Sequence, residues 1–131
     1  MNIETNGLSL QINFSEPDVE NWVHASIKVS VPNFSGSYSC TIQVDEILAL
    51  RDMFINIDSQ LGKEVSAQWC NMEDNIYLSL KLDKMGNIEG AYKLSSNVIS
   101  IGPTLSGEFE ADQSYLLKWA SQLRGVTSAG S

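Results

Sequence analysis

The chain has 131 residues, 43% of them hydrophobic and 18% charged, with 16 acidic residues against 8 basic ones and a formal net charge of −8. This composition belongs to one globular domain that can bury an ordinary core, and it excludes a disordered chain. The acid excess opposes binding to nucleic acid or anionic lipid and favours encounter with cationic surfaces, and the basic residues are scattered rather than gathered in a patch.

The first six residues, Met1 to Asn6, have neither the basic start nor the apolar stretch of a signal peptide, and no apolar run approaches the ~18 residues needed to span a bilayer. Both points predict a cytoplasmic protein. Period-two alternation then predicts strands. Leu8 to Phe14 follows it, and from Trp22 to Val31 the residues Val23, Ala25, Ile27, Val29 and Val31 share one face while His24, Ser26, Lys28 and Ser30 share the other. Pro32 to Gly36 supplies turn residues. Tyr38, Cys40, Ile42 and Val44 then alternate with Ser37, Ser39, Thr41 and Gln43.

The period changes at Asp45. Ile47, Leu50, Phe54, Ile57 and Leu61 recur at spacings of three and four, which predicts an amphipathic helix with Asp45 as N-cap and Gly62 as its left-handed end. Strands resume with Val65, Ala67 and Trp69, then a polar turn from Asn71 to Asn75, then Ile76, Leu78, Leu80 and Leu82. Lys84 to Asn87 reads as a hairpin turn in which Gly86 and Asn87 tolerate positive φ. Ile88, Gly90, Tyr92 and Leu94 continue the inner face, and a further strand or strand pair is predicted over Val98 to Glu110, interrupted at Gly102-Pro103. Asp112 is read as the N-cap of a second helix whose inward stripe is Leu116, Ala120 and Leu123, with Tyr115 and Trp119 on its shoulder. Gly125 to Ser131 reads as a tail, leaving 1–124 as one domain. No repeat of solenoid or propeller period is present.

The predicted fold is α+β, a two-layer sandwich. A mostly antiparallel sheet of six to seven one-sided strands carries two helices on one face and leaves the other open to water or a partner.

Catalytic equipment is sparse. His24, the single histidine, falls on a polar strand face among serines, with no nucleophile motif near it. Cys40 and Cys70 are thirty residues apart without a C-x-x-C pair, which suits two reduced thiols in or beside the core better than a metal site, and leaves a disulfide as the alternative. Glu108 and Glu110 fall on one strand face roughly 7 Å apart, but no calcium-loop pattern accompanies them. Gly86 and Gly90 belong to a hairpin and not to a phosphate loop. These readings predict no enzyme, no metal and no cofactor.

The run Leu105-Ser106-Gly107-Glu108-Phe109-Glu110-Ala111-Asp112-Gln113-Ser114-Tyr115-Leu116, followed by Leu123, resembles the end of WapI-like immunity proteins, in which a strand ends in Phe and a short acidic link leads to a D-Q-[ST]-Y-L helix start. The helix from Asp45 to Leu61 after a strand pair, and the segment Asp83 to Gly90, are similar as well. The likeness spans roughly residues 20 to 124. It implies a bacterial antidote of a polymorphic toxin system that binds the C-terminal domain of a cognate toxin, often a basic nuclease, and blocks it stoichiometrically.

For such a role the candidate partner-binding residues are Glu16, Asp18, Glu20, Trp22, Glu73, Asp74 and Tyr77, all on predicted loops or on the outer sheet face. Trp22 and Tyr77 fall on the polar side of their strands, and large aromatic side chains there suit an interface. The alternative is a small-ligand or regulatory binding module using Ser26, Ser30, Ser39 and Thr41. A metal-assisted hydrolase built on Glu108 and Glu110 is a third reading.

Overall fold

Alternation of buried and exposed side chains marks most of the eight strands in a computed structural model that describes residues 1–96 and 102–123. In chain order the elements are β1 (Asn2–Thr5), β2 (Leu8–Phe14), β3 (Trp22–Val31), β4 (Phe34–Gln43), α1 (Val44–Asp58), β5 (Val65–Cys70), β6 (Ile76–Leu82), β7 (Asn87–Ser95), β8 (Thr104–Asp112) and α2 (Ser114–Ser121). They form an α+β fold, but not around a single sheet. Two antiparallel four-stranded sheets are present, β1-β2-β3-β4 and β5-β6-β7-β8.

The division has a local cause. Gln43, the last residue of β4, is followed at once by helical Val44, so the chain leaves the first sheet without a linker. α1 then carries it away from the free edge of β4, and β5 pairs only with β6. Each half of the chain is thus a four-stranded meander followed by one helix. This topological repeat is carried by burial pattern and leaves no trace as repeated residues.

The apolar faces of both sheets and the inward stripes of both helices contribute to one core cluster. Ile47, Leu50, Phe54 and Ile57 are buried along α1, and Leu116, Trp119 and Ala120 along α2. Trp119 is fully buried rather than on the helix shoulder. Its ring lies 5.5 Å from Phe54 and 5.6 Å from Tyr115, so it joins the two helices. Outside the core, the two sheets touch through a bridge in which Glu110 N–H donates to Asn6 O at 2.9 Å. Tyr38 adds a second link, its hydroxyl donating to Asn75 O at 2.7 Å.

Several element ends differ from expectation. β1 was not anticipated: it is four residues long and only Ile3 is fully buried, too short to show alternation. It is held by β2 and by Gln122, which accepts from Asn2 N–H and donates to Asn2 O. The β3–β4 turn uses Pro32 and Asn33 alone, with Asn33 at φ 71°, so Phe34 to Gly36 belong to β4. α1 begins at Val44 with Gln43 as N-cap in place of Asp45, and ends at Asp58. Leu61 therefore lies beyond the helix and is 55% exposed, while Gly62 has φ 90° in the following turn. Of the predicted Val98–Glu110 strand, β8 accounts for residues from Thr104 onward, and 98–101 lie outside the described residues, as does the tail from Gly125.

Two aspartates organise the turns that flank β7 and β8. Asp83 accepts from Met85 N–H, Asn87 N–H and the Asn87 side chain, and Gly86 takes φ 87°. Asn87 itself is not left-handed. Asp112 closes β8 rather than capping α2 formally, yet its carboxylate accepts from both Ser114 N–H and Ser114 Oγ. Hydrogen bonds from Asn87 and from Ser114, respectively, hold the two carboxyls below the usual aspartate range. Each therefore favours the folded state above pH ~4 and loses that contribution as pH falls through its folded value.

The second sheet solves a packing problem with paired glycines. Gly90 faces Phe109 and Gly107 faces Tyr92 in the β7–β8 register. A Cβ on Gly90 would collide with the Phe109 ring, and one on Gly107 with the Tyr92 ring and hydroxyl. Each aromatic ring thus covers the glycine opposite it. Gly90→Ala is expected to lower unfolding free energy by about 3 kcal/mol in urea denaturation, the upper part of the range for overpacking. Gly107→Ala should cost less, about 1–2 kcal/mol, because the clashing atoms are at the movable end of Tyr92.

Candidate functional site

The first turn of α1 is where the two halves of the chain are tied. Gln43 N–H donates to one oxygen of Glu46 at 2.9 Å, and Met72 N–H donates to the other at 2.5 Å. The Glu46 backbone carbonyl accepts the indole N–H of Trp69 at 2.9 Å. On the opposite strand connection, Val44 N–H donates to Asn21 O at 3.0 Å. A helix start leaves several N–H groups without intrahelical partners, and carboxylates are favoured there by the dipole. Here Asn21 O accepts from one of these N–H groups, while Met72 N–H and the Trp69 indole donate to Glu46, so two distant segments meet at the helix start.

The first segment is the β2–β3 loop, residues 15–21. Asp18 accepts from Glu20 N–H at 2.8 Å and from Trp22 N–H at 3.0 Å, and Asn21 takes φ 65° to return the chain. Glu16, Asp18 and Glu20 are exposed, and Val19 at the tip is 93% exposed. The second segment is the β5–β6 turn, residues 71–75, built on two buried asparagines. Asn71 accepts from Asn75 N–H and Ile76 N–H and donates to the Asn75 side chain, which itself donates to Ser95 O. Asp74 sits at φ 57°, and Met72 is 70% exposed.

The fold therefore ties the loop that carries Glu16, Asp18 and Glu20 to Val44, and the turn that carries Glu73 and Asp74 to Glu46. No lysine or arginine occurs in residues 15–21, 43–48 or 71–75. Among the described residues the single ion pair is Arg51–Asp52, so none of these carboxylates is neutralised by a salt bridge. The two predicted aromatics do not join into one cluster. Trp22 is half-buried at the start of β3 in the first sheet, while Tyr77 is half-buried on the second sheet and donates to Gln68 at 2.9 Å.

Sequence reasoning missed six participants. Asp45 and Glu46 read as ordinary helix-start residues, although Glu46 also holds the β5–β6 turn. Val19 and Met72 are apolar residues inside acidic loops, and that placement was the available signal. Asn71 and Asn75 look like ordinary turn residues, and only their burial distinguishes them.

Other candidates fare differently. Ser26 pairs with Ser39, Ser30 with Ser35 and His24 with Thr41, which makes a flat polar face on the first sheet. Glu108 and Glu110 lie on the outer face of the second sheet with Lys81 and Glu89, beside a shallow depression of about 500 Å³. Among the described residues no three His, Cys, Asp or Glu side chains are grouped to hold a metal. Cys40 is buried and Cys70 exposed, both as free thiols. Cys70 donates to Asp74 at 3.1 Å, and partial burial with that hydrogen bond pushes its pKa up to about 11.

The model of the Immunity protein WapI-like family matches residues 1–129. The chain belongs to that family. No curated protein matches this WapI-like chain. Among solved structures, the plant transcriptional regulator PBF-2 is similar at 11% identity and a TM-score of 0.42, over 94% of this chain and 76% of that one. Among the described residues of this WapI-like protein, no helix is long and apolar enough to cross a membrane.

Two measurements check the geometry of this end. Glu46→Ala leaves the Gln43 and Met72 N–H groups without their acceptor and should cost about 1–2 kcal/mol of unfolding free energy, with Glu46→Gln intermediate. Cys70 should alkylate roughly 10- to 100-fold more slowly at pH 8 than an unperturbed thiol, the lower thiolate fraction being partly offset by greater nucleophilicity. Asp74→Asn removes a charge that raises this pKa, so alkylation should accelerate.

Proposed function

We propose that this protein neutralises the C-terminal domain of a cognate toxin by stoichiometric binding, without catalysis, through the acidic end built around the start of α1. Membership in an immunity family supports that role. The observation that carries the surface is the meeting of two acidic loops on a single helix start, with no basic residue in any of the three segments.

The chemistry of that end suits a basic partner. Carboxylates without salt-bridge partners project a field that steers a cationic surface into contact. Val19 and Met72 stand exposed among them and offer apolar area that loses water on docking. A toxin nuclease, whose own substrate is polyanionic, is the partner class this combination fits best, and the acidic end would then exclude that substrate. Two free thiols accord with action in the cytoplasm. Trp22 and Tyr77, on different sheets, belong to the edges of such an interface rather than to its centre.

The loop geometry determines how the surface should be tested. Asp18 shapes the β2–β3 loop through its own backbone hydrogen bonds, so its reversal would disturb structure as well as charge. Glu16→Lys, Glu20→Lys and Glu73→Lys combined leave those bonds in place. Against the C-terminal domain of a cognate toxin, this variant should associate about 10-fold or more slowly at low salt, with the difference shrinking at high salt. Unchanged affinity and unchanged salt dependence would place the interface elsewhere.

A further inference from the structure

Gly36 is the third residue of β4, and among the described residues nothing lies over it. Its φ is not left-handed, and a Cβ there would meet only a Val29 methyl at 3.9 Å. Neither the backbone nor packing within the chain calls for glycine, and a strand glycine weakens its strand unless another group approaches closely. The inward glycines of the second sheet differ, since Phe109 covers Gly90 and Tyr92 covers Gly107.

β4 is also an unguarded edge. Among the described residues it pairs only with β3, in unbroken register, and its ten residues include no charge and no proline. Natural sheets protect such edges with lysine, proline or a bulge. The β8 edge carries Glu108, Glu110 and Asp112 and is bridged by Asn6.

Register decides which backbone groups of β4 are free. Val31 and Phe34 close the two-residue turn as a hydrogen-bonded pair. Alternation then turns the N–H and C=O of Phe34, Gly36 and Tyr38 toward β3, and those of Ser35, Ser37 and Ser39 outward.

We propose that β4 pairs antiparallel with β4 of a second copy of this chain, about a two-fold axis through Ser37. In that register Ser37 exchanges hydrogen bonds with its own counterpart, and Ser35 does so with the second copy's Ser39. Gly36 faces the second copy's Tyr38, so each open glycine receives an aromatic ring, the arrangement that β7 and β8 already use. Tyr38 is held ready by its hydrogen bond to Asn75 O. A groove of about 700 Å³ beneath, lined in part by Val29, Phe34, Tyr92 and Leu105, supplies apolar cover. Phe34, 66% exposed in one copy, comes opposite the second copy's Cys40. The pairing sets no charge against a like charge along the strand, which matters in a chain of net charge −8.

Sedimentation velocity and light scattering on the purified full chain test this without any toxin present, so the outcome is independent of the function proposed above. The wild-type chain should shift from 14.4 kDa to twice that mass as concentration rises from micromolar to millimolar. Ser37→Lys, which places two ammonium groups together on the axis, should remain monomeric with its secondary structure unchanged, and Gln11→Lys on β2 should dimerise as wild type does. A wild-type chain that stays monomeric throughout overturns the proposal, as does a dimer indifferent to Ser37→Lys.

Discussion

The carboxylate of Glu46 holds three parts of the molecule in one place. It satisfies the N–H of Gln43 where β4 becomes α1, and the N–H of Met72 in the turn of the other sheet, while its own carbonyl takes the indole of Trp69. Hydrophobic burial is non-directional and would press the two meanders together in many relative poses. Directional bonds at Glu46, with Tyr38–Asn75 and Asn6–Glu110, select one of them. The acidic end exists because of that selection, since two loops far apart in the chain become neighbours only when both are fixed to the same helix turn.

Much of the fold was legible because the strands are one-sided. Ala25, Ile27, Leu78 and Leu80 are buried as period two requires, and the α1 stripe from Ile47 to Ile57 is buried as period 3.6 requires. What could not be read was which strands share a sheet. Alternation reports a face and carries no information about the neighbour in the ladder, so eight strands look alike whether they form one layer or two. Helix ends were misplaced for a related reason: Leu61 fits the apolar spacing, but spacing continues past the residue at which the backbone hydrogen bonds stop.

The candidate site was legible in outline only. The acidic loops stood out by composition, whereas their convergence depends on Asn21, Asn71 and Glu46, whose roles are backbone hydrogen bonds invisible to pattern. The residues that carried the family likeness turn out to be structural. Gly107 and Phe109 pack against Tyr92 and Gly90, and Asp112 fastens Ser114. They mark membership through architecture.

The repeated meander-and-helix order has a kinetic consequence. Every ladder in both sheets joins strands adjacent in sequence, so chain closure proceeds in short steps of low entropic cost. Only the links between halves, such as Asn2 with Gln122, span most of the chain. Contact order is therefore local within each half and long-range only at the seam, a separation that lets hairpins form on the fastest timescale open to β structure before the halves must find each other.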